Sequence, residues 1–264
     1  MKAWAKDGLQ GFEESLVGLW SPLMVGAMAS FVPDLCKNTS NNGLATANTD
    51  RNSTYIGSPF GTVMNLDGVD DGINIGSFAM GNLLNATSNT IAMWVYPKTT
   101  TNNIARYIGF GSAGATFSFR TNFQNLEFAY GGAAGVLSTA FTTAEYADKW
   151  TFILGTSTPT SAAIFINGRQ VASRTDTVNM TLTTGGGIGY RFSVNSDYSP
   201  IQFAEAAVWG RSFYAPEVAN YYAQGPSGSW QLDAPRNRSR FAQSTTFKAY
   251  WHRRQSQVIG GGLR

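Results

Sequence analysis

Three aspartates lie close together in this 264-residue chain, in a pattern that could bind a metal ion. Asp67, Asp70 and Asp71 fall within the short segment Leu-Asp-Gly-Val-Asp-Asp. Calcium prefers carboxylate and backbone carbonyl oxygens as ligands, and Asp71 is the first candidate ligand, followed by Asp67. Aspartate side chains also hydrogen-bond to the backbone of their own turn. The sequence leaves both interpretations open: a calcium site, or a turn held by its own aspartates.

The sequence does not contain the carboxylate pattern of a glycoside hydrolase. Such an enzyme needs two carboxyl groups about 5–5.5 Å apart for retention, or further apart for inversion. On a strand this requires acids at alternate positions, which share one face. Glu13 and Glu14 are adjacent, and the only histidine, His252, and the only cysteine, Cys36, are far apart in sequence. The remaining glutamates stand alone: Glu127, Glu145, Glu205 and Glu217. We therefore expect no enzymatic activity.

Three tyrosines near predicted loops are candidates for contact with a ligand. Tyr190, Tyr198 and Tyr214 lie closer to loops than to the centres of predicted strands. A tyrosine ring can stack on a sugar ring or pack against another protein. The sequence does not choose between a glycan and a protein as the partner.

The last part of the chain differs from the rest in charge. Residues 225–264 hold seven basic residues and one acid, a net charge of +6, whereas residues 1–224 hold 12 basic and 15 acidic residues, a net charge of −3. Aromatic and basic residues are interleaved there, at Phe247, Tyr250, Trp251, Arg253 and Arg254. We expect an arm that becomes ordered against an acidic neighbouring subunit, with buried aromatic rings and bidentate arginine contacts. A solvated tail and, less favoured, the binding of single-stranded nucleic acid are the alternatives.

The elements that position these residues are predicted to be β-strands. Only 13% of residues are charged and 29 are glycine, which suits short strands and tight turns. Asn167-Gly168 predicts a two-residue hairpin, and residues 215–225 predict a short helix with Pro216 in its first turn and Gly225 at its end. The other segments predicted to be strands are 15–24, 62–68, 72–77, 89–97, 106–112, 115–121, 125–132, 149–158, 185–191 and 200–210. This order predicts an all-β, antiparallel β-sandwich.

In this order the segments resemble the laminin-G-like, concanavalin A-like jelly-roll family. The shared pieces are Leu16-Val17 with Trp20, Asp34 to Gly43, Leu66-Asp67-Gly68, Trp94-Val95-Tyr96-Pro97, Lys149-Trp150, Asn167-Gly168 and Pro216-Glu217-Val218. The resemblance covers residues 15–224. It implies that Trp20, Trp94, Trp150 and Trp209 are buried, and the family includes both calcium binders and non-binders. Residues 202–209 are more apolar than the family's usual last strand, which favours a protein contact there.

The chain is thus predicted to have an N-terminal arm (1–14), a jelly-roll domain (15–224) and a basic C-terminal anchoring tail (225–264). The tail resembles the ends of short laminin-G-like proteins of tailed bacteriophages, which close on a basic, aromatic stretch and Ile259-Gly260-Gly261-Gly262.

This second resemblance implies a structural protein of the virion, first of all a capsid decoration protein displayed outward and anchored by its tail. Its partners would be other virion proteins and further copies of itself, and assembly would occur in the cytoplasm of the bacterial host. The alternative is a carbohydrate-binding module on a tail, fibre or baseplate that recognises host-surface glycans. We expect no membrane span, because no run of about 18 apolar residues occurs, and no cofactor other than a calcium ion.

Overall fold

The computed structural model describes most of the predicted jelly-roll domain. The described residues are 15–22, 54–75, 88–98, 104–111, 117–131, 135–175, 185–192 and 195–226, together with the backbone of 31–32 and 43–45. The predicted N-terminal arm lies outside these residues. So do the predicted anchoring residues of the tail, which are Phe247, Tyr250, Trp251, Arg253 and Arg254.

The described part of the chain consists mainly of β-strands, with two short helices. In chain order the strands are β1 (Leu16–Trp20), β2 (Phe31–Val32), β3 (Gly43–Ala45), β4 (Thr54–Ser58), β5 (Gly61–Asn65), β6 (Ile73–Asn74), β7 (Asn89–Pro97), β8 (Ala105–Phe110), β9 (Phe117–Asn122), β10 (Asn125–Tyr130), β11 (Val136–Ala140), β12 (Thr151–Ser157), β13 (Ser161–Ile166), β14 (Arg169–Thr175), β15 (Gly186–Ile188) and β16 (Ile201–Trp209). The helices are α1 (Thr143–Tyr146) and α2 (Ala215–Gln224). Neither helix has the length and apolar character needed to cross a membrane.

The strands form two antiparallel sheets. Sheet I has the order β14-β13-β12-β7-β16-β5-β4, and β1 also pairs with β16. Sheet II has the order β11-β10-β9-β8-β15-β6-β3-β2. Strand β16 is the centre of sheet I: it pairs along β7 on one side, and on the other side with β5 near Gln202 and with β1 near Trp209. The predicted all-β antiparallel sandwich is therefore confirmed.

The core lies between the two sheets and follows from the alternation of side chains along each strand. From sheet I, Ile91, Met93 and Val95 of β7 point into it. From sheet II, Phe117 and Phe119 of β9 do the same. These side chains are 0–1% exposed, and such burial stabilises the fold by about 25 cal/mol per Å² of apolar surface removed from water.

A second apolar cluster lies on the outer face of sheet I, where α2 covers it. Ala207 and Trp209 of β16 pack there with Val218 and Tyr221 of α2. The hydroxyl of Tyr221 donates a hydrogen bond of 2.6 Å to the buried carboxylate of Glu205. The apolar character of residues 202–209 is therefore explained by the protein's own helix, and the expectation of a protein contact there is wrong.

Candidate ligand-binding site

A loop between β15 and β16 folds onto the outer face of sheet II. We call residues 189–200 the 189–200 loop; 189–192 and 195–200 are described. The backbone N–H of Gly189 donates to the carbonyl of Tyr107 at 2.8 Å, and the N–H of Arg106 donates to the carbonyl of Asp197 at 2.8 Å. The Ser199 hydroxyl donates to the carbonyl of Arg106 at 2.7 Å. These bonds fix both ends of the loop to strand β8.

Three glycines make room for side chains that lie flat on this face; we call Gly72, Gly109 and Gly187 the glycine floor. A Cβ at Gly72 would lie 2.4 Å from the Tyr190 ring, and one at Gly187 would lie 2.6 Å from it. Gly109 pairs with Gly187 across β8 and β15, and a Cβ there would lie 3.0 Å from Cδ of Arg106. Side chains at these positions would exclude Tyr190 and crowd Arg106.

The structure brings two of the three predicted contact tyrosines together. Tyr190 and Tyr198 stack with ring centroids 5.8 Å apart and an angle of 11° between planes. Tyr190 is only 1% exposed, which corrects the expectation that its ring faces a ligand, because it is enclosed between the glycine floor and Tyr198. Tyr198 is half-buried. Tyr214 is 74% exposed, but it precedes α2 on the outer face of sheet I, so it belongs to a different surface.

The aspartate-rich turn between β5 and β6 is held by its own carboxylates. The Asp67 N–H donates to Oδ2 of Asp71 at 3.0 Å, and Oδ1 of Asp67 accepts from the Val69 N–H at 2.8 Å. Asp71 is 1% exposed, and its Oδ1 has no hydrogen-bond partner. Ligand oxygens of Asp67, Asp70 and Asp71 lie within 4.8 Å of one another. Asp67 and Asp71 therefore stabilise their own turn, and Oδ1 of Asp71 remains a buried acceptor without a hydrogen-bond partner.

The charge at this turn is only partly balanced. Burial raises the pKa of Asp71, and the neighbouring carboxylates of Asp67 and Asp70 raise it further, while the Asp67 N–H and the Lys98 ammonium act in the opposite direction. The Lys98 ammonium also donates to the carbonyl of Leu66 at 3.4 Å. Three carboxylates whose oxygens lie within 4.8 Å of one another, with a buried oxygen of Asp71 that has no partner, fit a calcium ion. Such an ion would take the place of the proton that burial favours on Asp71.

The aspartate turn and the 189–200 loop form one continuous region. Gly72, directly after Asp71, lies under the Tyr190 ring. Gly68 of the turn has a φ of +84°, and a Cβ there would lie 2.6 Å from the backbone nitrogen of Pro200, at the end of the loop. Two features that are more than 100 residues apart in sequence therefore meet at one end of the sandwich.

A group of charged residues beside the two tyrosines was not singled out by the sequence. Arg106 of β8 lies directly opposite Arg120 of β9, and Arg120 lies opposite Glu127 of β10. Asp197 of the loop lies 3.8 Å from Arg106 and 3.7 Å from Arg191. The sequence signal that could have indicated this group is the arginine in the otherwise apolar strand Ala-Arg-Tyr-Ile-Gly-Phe, because charged residues are rarely buried in such a strand without a partner. We call Arg106, Arg120, Glu127, Arg191 and Asp197 the arginine cluster.

Three of the described glutamates occupy three different parts of the sandwich. Glu127 binds Arg120 on sheet II, Glu205 accepts from Tyr221 on sheet I, and Glu217 binds Arg211 at the start of α2. These partners leave none of the three facing another as a catalytic pair. That the protein lacks enzymatic activity stays a prediction.

Comparison with known proteins agrees with this architecture. The family described as the concanavalin A-like lectin/glucanases superfamily matches residues 67–219. Among curated proteins, none matches the sequence.

Similar solved structures share the fold at low sequence identity. The binding domain of Paraclostridial Mosquitocidal Protein 1 superposes with a TM-score of 0.62 at 13% identity, over 80% of this chain and 52% of that one. The receptor binding domain of botulinum neurotoxin mosaic serotype C/D gives 0.61 at 12%, over 81% and 52%. Trypanosoma rangeli sialidase in complex with sialic acid gives 0.60 at 15%, over 80% and 33%.

The chain thus spans about half the length of the two toxin domains and a third of the sialidase. At such identities the likeness concerns the fold alone. The family match covers more than half of the sequence and includes the aspartate turn, β16 and the start of α2. This protein belongs to the concanavalin A-like lectin/glucanase superfamily.

Proposed function

We propose that this protein is a saccharide-binding module whose site lies on the outer face of sheet II, beside the 189–200 loop. The observation that carries the proposal is the half-buried ring of Tyr198, stacked on the buried ring of Tyr190. A sugar presents an apolar face and a rim of hydroxyls, so it is recognised by an aromatic ring next to hydrogen-bonding groups. Arg120 and Arg191 supply such groups on the same face and are partly exposed.

The site is built on rigid elements, which favours binding. The Tyr190 ring fills the space above Gly72 and Gly187, so it has little freedom to move. Strand β8 holds the loop through Arg106 at both its N–H and its carbonyl. A side chain held in place before the ligand arrives loses less conformational entropy on binding. The name of the superfamily, which groups lectins with glucanases, supports the same ligand class.

The aspartate turn extends this proposal to a metal ion. Asp67, Asp70 and Asp71 would hold calcium, with Oδ1 of Asp71 as the buried ligand that has no protein partner. Gly72 joins this turn to the floor beneath Tyr190. Calcium would therefore stabilise the end of the sandwich on which the loop rests.

A glycan array probed with the full chain tests the proposed saccharide binding. Tyr198→Ala should abolish the signal that the unchanged protein gives, because it removes the half-buried ring of the site. Tyr214→Ala is the matched control and should keep the signal, because Tyr214 is 74% exposed on the opposite side of the sandwich. A blank array, or an equal loss in both variants, would contradict the proposal.

We further propose that the protein is a structural component of a tailed-phage virion, displayed outward on the capsid and anchored by its C-terminal tail. The supporting observation is the charge division, with +6 in residues 225–264 against −3 in residues 1–224. A basic segment with interspersed aromatic residues and little periodic apolar pattern gains order by binding. Its partners would be acidic surfaces of other virion proteins, and further copies of this chain.

Particle incorporation tests this second proposal. Removal of residues 226–264 should leave the sandwich folded and abolish incorporation into the particle. The triple change of Trp251, Arg253 and Arg254 to alanine should have the same effect, whereas Arg236→Ala alone should reduce incorporation only slightly. Normal occupancy of the truncated protein would show that the anchor lies elsewhere.

A further inference from the structure

The arginine cluster carries more positive than negative charge on a partly buried surface. Arg106, Arg120 and Arg191 face Glu127 and Asp197, a local net charge of +1. Arginine remains protonated at neutral pH, so this excess is present there. A buried charge without a well-placed counter-ion is costly, so an added anion at the cluster would lower that cost.

Arg106 is the buried member of the cluster and is poorly paired. Its side chain is 4% exposed. Nη1 donates to the Ser118 hydroxyl at 2.8 Å, and Nη2 lies 3.8 Å from Oδ2 of Asp197. Nε has no hydrogen-bond partner. Burial, reinforced by the neighbouring Arg120, lowers the pKa of Arg106 to about 10.

The two carboxylates leave the pairing of Arg106 and Arg120 incomplete. Glu127 is fully engaged: Oε2 accepts from Nε of Arg120 at 2.6 Å, and Oε1 accepts from the Asn122 amide at 2.9 Å. Asp197 stands between Arg106 and Arg191, and both of its distances to them are nearly 1 Å longer than a charge-assisted hydrogen bond. The Nη groups of Arg120 have no partner among the described residues. Arg120 and Arg191 have side chains about a quarter exposed, so a ligand can reach them.

We infer that the arginine cluster binds the carboxylate of an acidic saccharide, whose ring rests beside Tyr198. The inference rests on the proposed saccharide binding and names the class of saccharide. A carboxylate is planar, and its two oxygens match the forked donors of a guanidinium. One added negative charge balances the local excess of +1, and its oxygens would accept from the Nη groups of Arg120, whose side chain is 25% exposed.

The decisive experiment compares matched saccharides that differ only in charge. The probes are an oligogalacturonide and the same oligosaccharide with its carboxylates methyl-esterified, each titrated against the full chain at 150 mM salt. A sulfated, carboxylate-free polysaccharide and a single-stranded DNA of equal charge form the other arms. The free acid should bind at least about tenfold more tightly than the ester, because a hydrogen bond to a charged group contributes about that factor.

Variants locate the site. Arg120→Gln should remove the preference for the acid, and Arg120→Lys should restore it only in part, since lysine keeps the charge and loses the fork. Arg169→Gln removes the same charge from the exposed strand β14 of sheet I and should leave the preference unchanged. Because Arg120 is only a quarter exposed and pairs with Glu127, a circular dichroism spectrum and a Tm for each variant check that the fold is retained.

The possible outcomes separate the inference from the proposed function. Equal affinity for acid and ester, lost together in Tyr198→Ala, would overturn the inference and leave saccharide binding intact. No binding of any saccharide would overturn both. Binding of DNA or of the sulfated polymer as tight as that of the free acid would also overturn the inference, and so would a loss in Arg169→Gln equal to that in Arg120→Gln. In either case the binding would reflect nonspecific electrostatic attraction.

Discussion

Asp71→Asn removes a charge from the aspartate turn and keeps its shape. The asparagine oxygen can still accept from the Asp67 N–H, a bond of 3.0 Å in the present structure. The asparagine amide takes the place of the unpaired Oδ1 and can donate to the nearby carboxylates of Asp67 and Asp70. Without calcium, the variant should therefore be more stable than the unchanged protein. A buried acceptor without a partner costs about 1–3 kcal/mol, so we expect a gain of about 1 kcal/mol.

Calcium should reverse this order of stability. At a concentration 100 times its Kd, a ligand that binds only the folded state stabilises it by about 2.7 kcal/mol. For a domain of this size, 1 kcal/mol corresponds to roughly 2–4 °C in Tm. Calcium should therefore raise the Tm of the unchanged protein by roughly 5–10 °C and leave that of Asp71→Asn in place. Thermal denaturation with calcium and with a chelator measures both effects.

The pH dependence gives a further check on Asp71. Its pKa is raised in the folded state, so its contribution to stability is fully present below the unfolded pKa and is lost as pH rises through the folded pKa. Calcium competes with the same proton. Its stabilising effect should therefore be smaller at pH 4 than at pH 7, because the raised pKa of Asp71 favours the proton at the lower pH. A Tm that does not respond to calcium or chelator at either pH would refute the metal site and leave these aspartates as turn residues.

Three further predictions concern the fold that supports the site. Gly187→Ala should lower the free energy of unfolding by about 1–3 kcal/mol, because the added Cβ would overpack against Tyr190. Gly57→Ala is the control and should be nearly neutral in the same denaturant titration, because nothing lies within 4 Å of its added Cβ. Equal effects of the two changes would contradict the role given to the glycine floor. Asn167→Ala should lower the free energy of unfolding by about 1–2 kcal/mol, because Asn167 has a φ of +50° and accepts from the Phe152 N–H at 2.9 Å. Unchanged stability would contradict this account of the hairpin. Residues 15–224 alone should give a β-type circular dichroism spectrum and one unfolding transition, and two transitions would exclude a single sandwich.

The sequence predicted the elements whose signals are local. Strand β7 occupies the predicted residues 89–97, and helix α2 ends one residue before its predicted limit. The turn at Asn167-Gly168 has φ values of +50° and +78°, the conformation that the dipeptide favours. Strand β4 was missed, because Thr54–Ser58 lies within a segment rich in asparagine, serine and glycine, and its pairing with β5 is what makes it a strand.

The site was predictable only in part, because its residues meet through strand register. The aspartate turn was visible, since its members are neighbours in sequence. The burial of Tyr190 depends on Gly72 and Gly187, which come together only when β15 pairs with β6. Arg106 and Arg120 are 14 residues apart and become direct neighbours through the β8–β9 register. A one-residue shift of that register would place them on opposite faces, so composition alone could not reveal the cluster.

The glycine floor divides this surface into a constant part and a variable part. The floor positions tolerate no side chain without displacing Tyr190 or Arg106, so a library of variants selected for folding should retain glycine there. The partly exposed loop residues Arg191 and Tyr198 are not restricted in this way, since their side chains face away from the core between the sheets. Directed evolution of new ligand specificity can therefore randomise these two positions on an unchanged sandwich, much as antibody loops vary on a fixed framework.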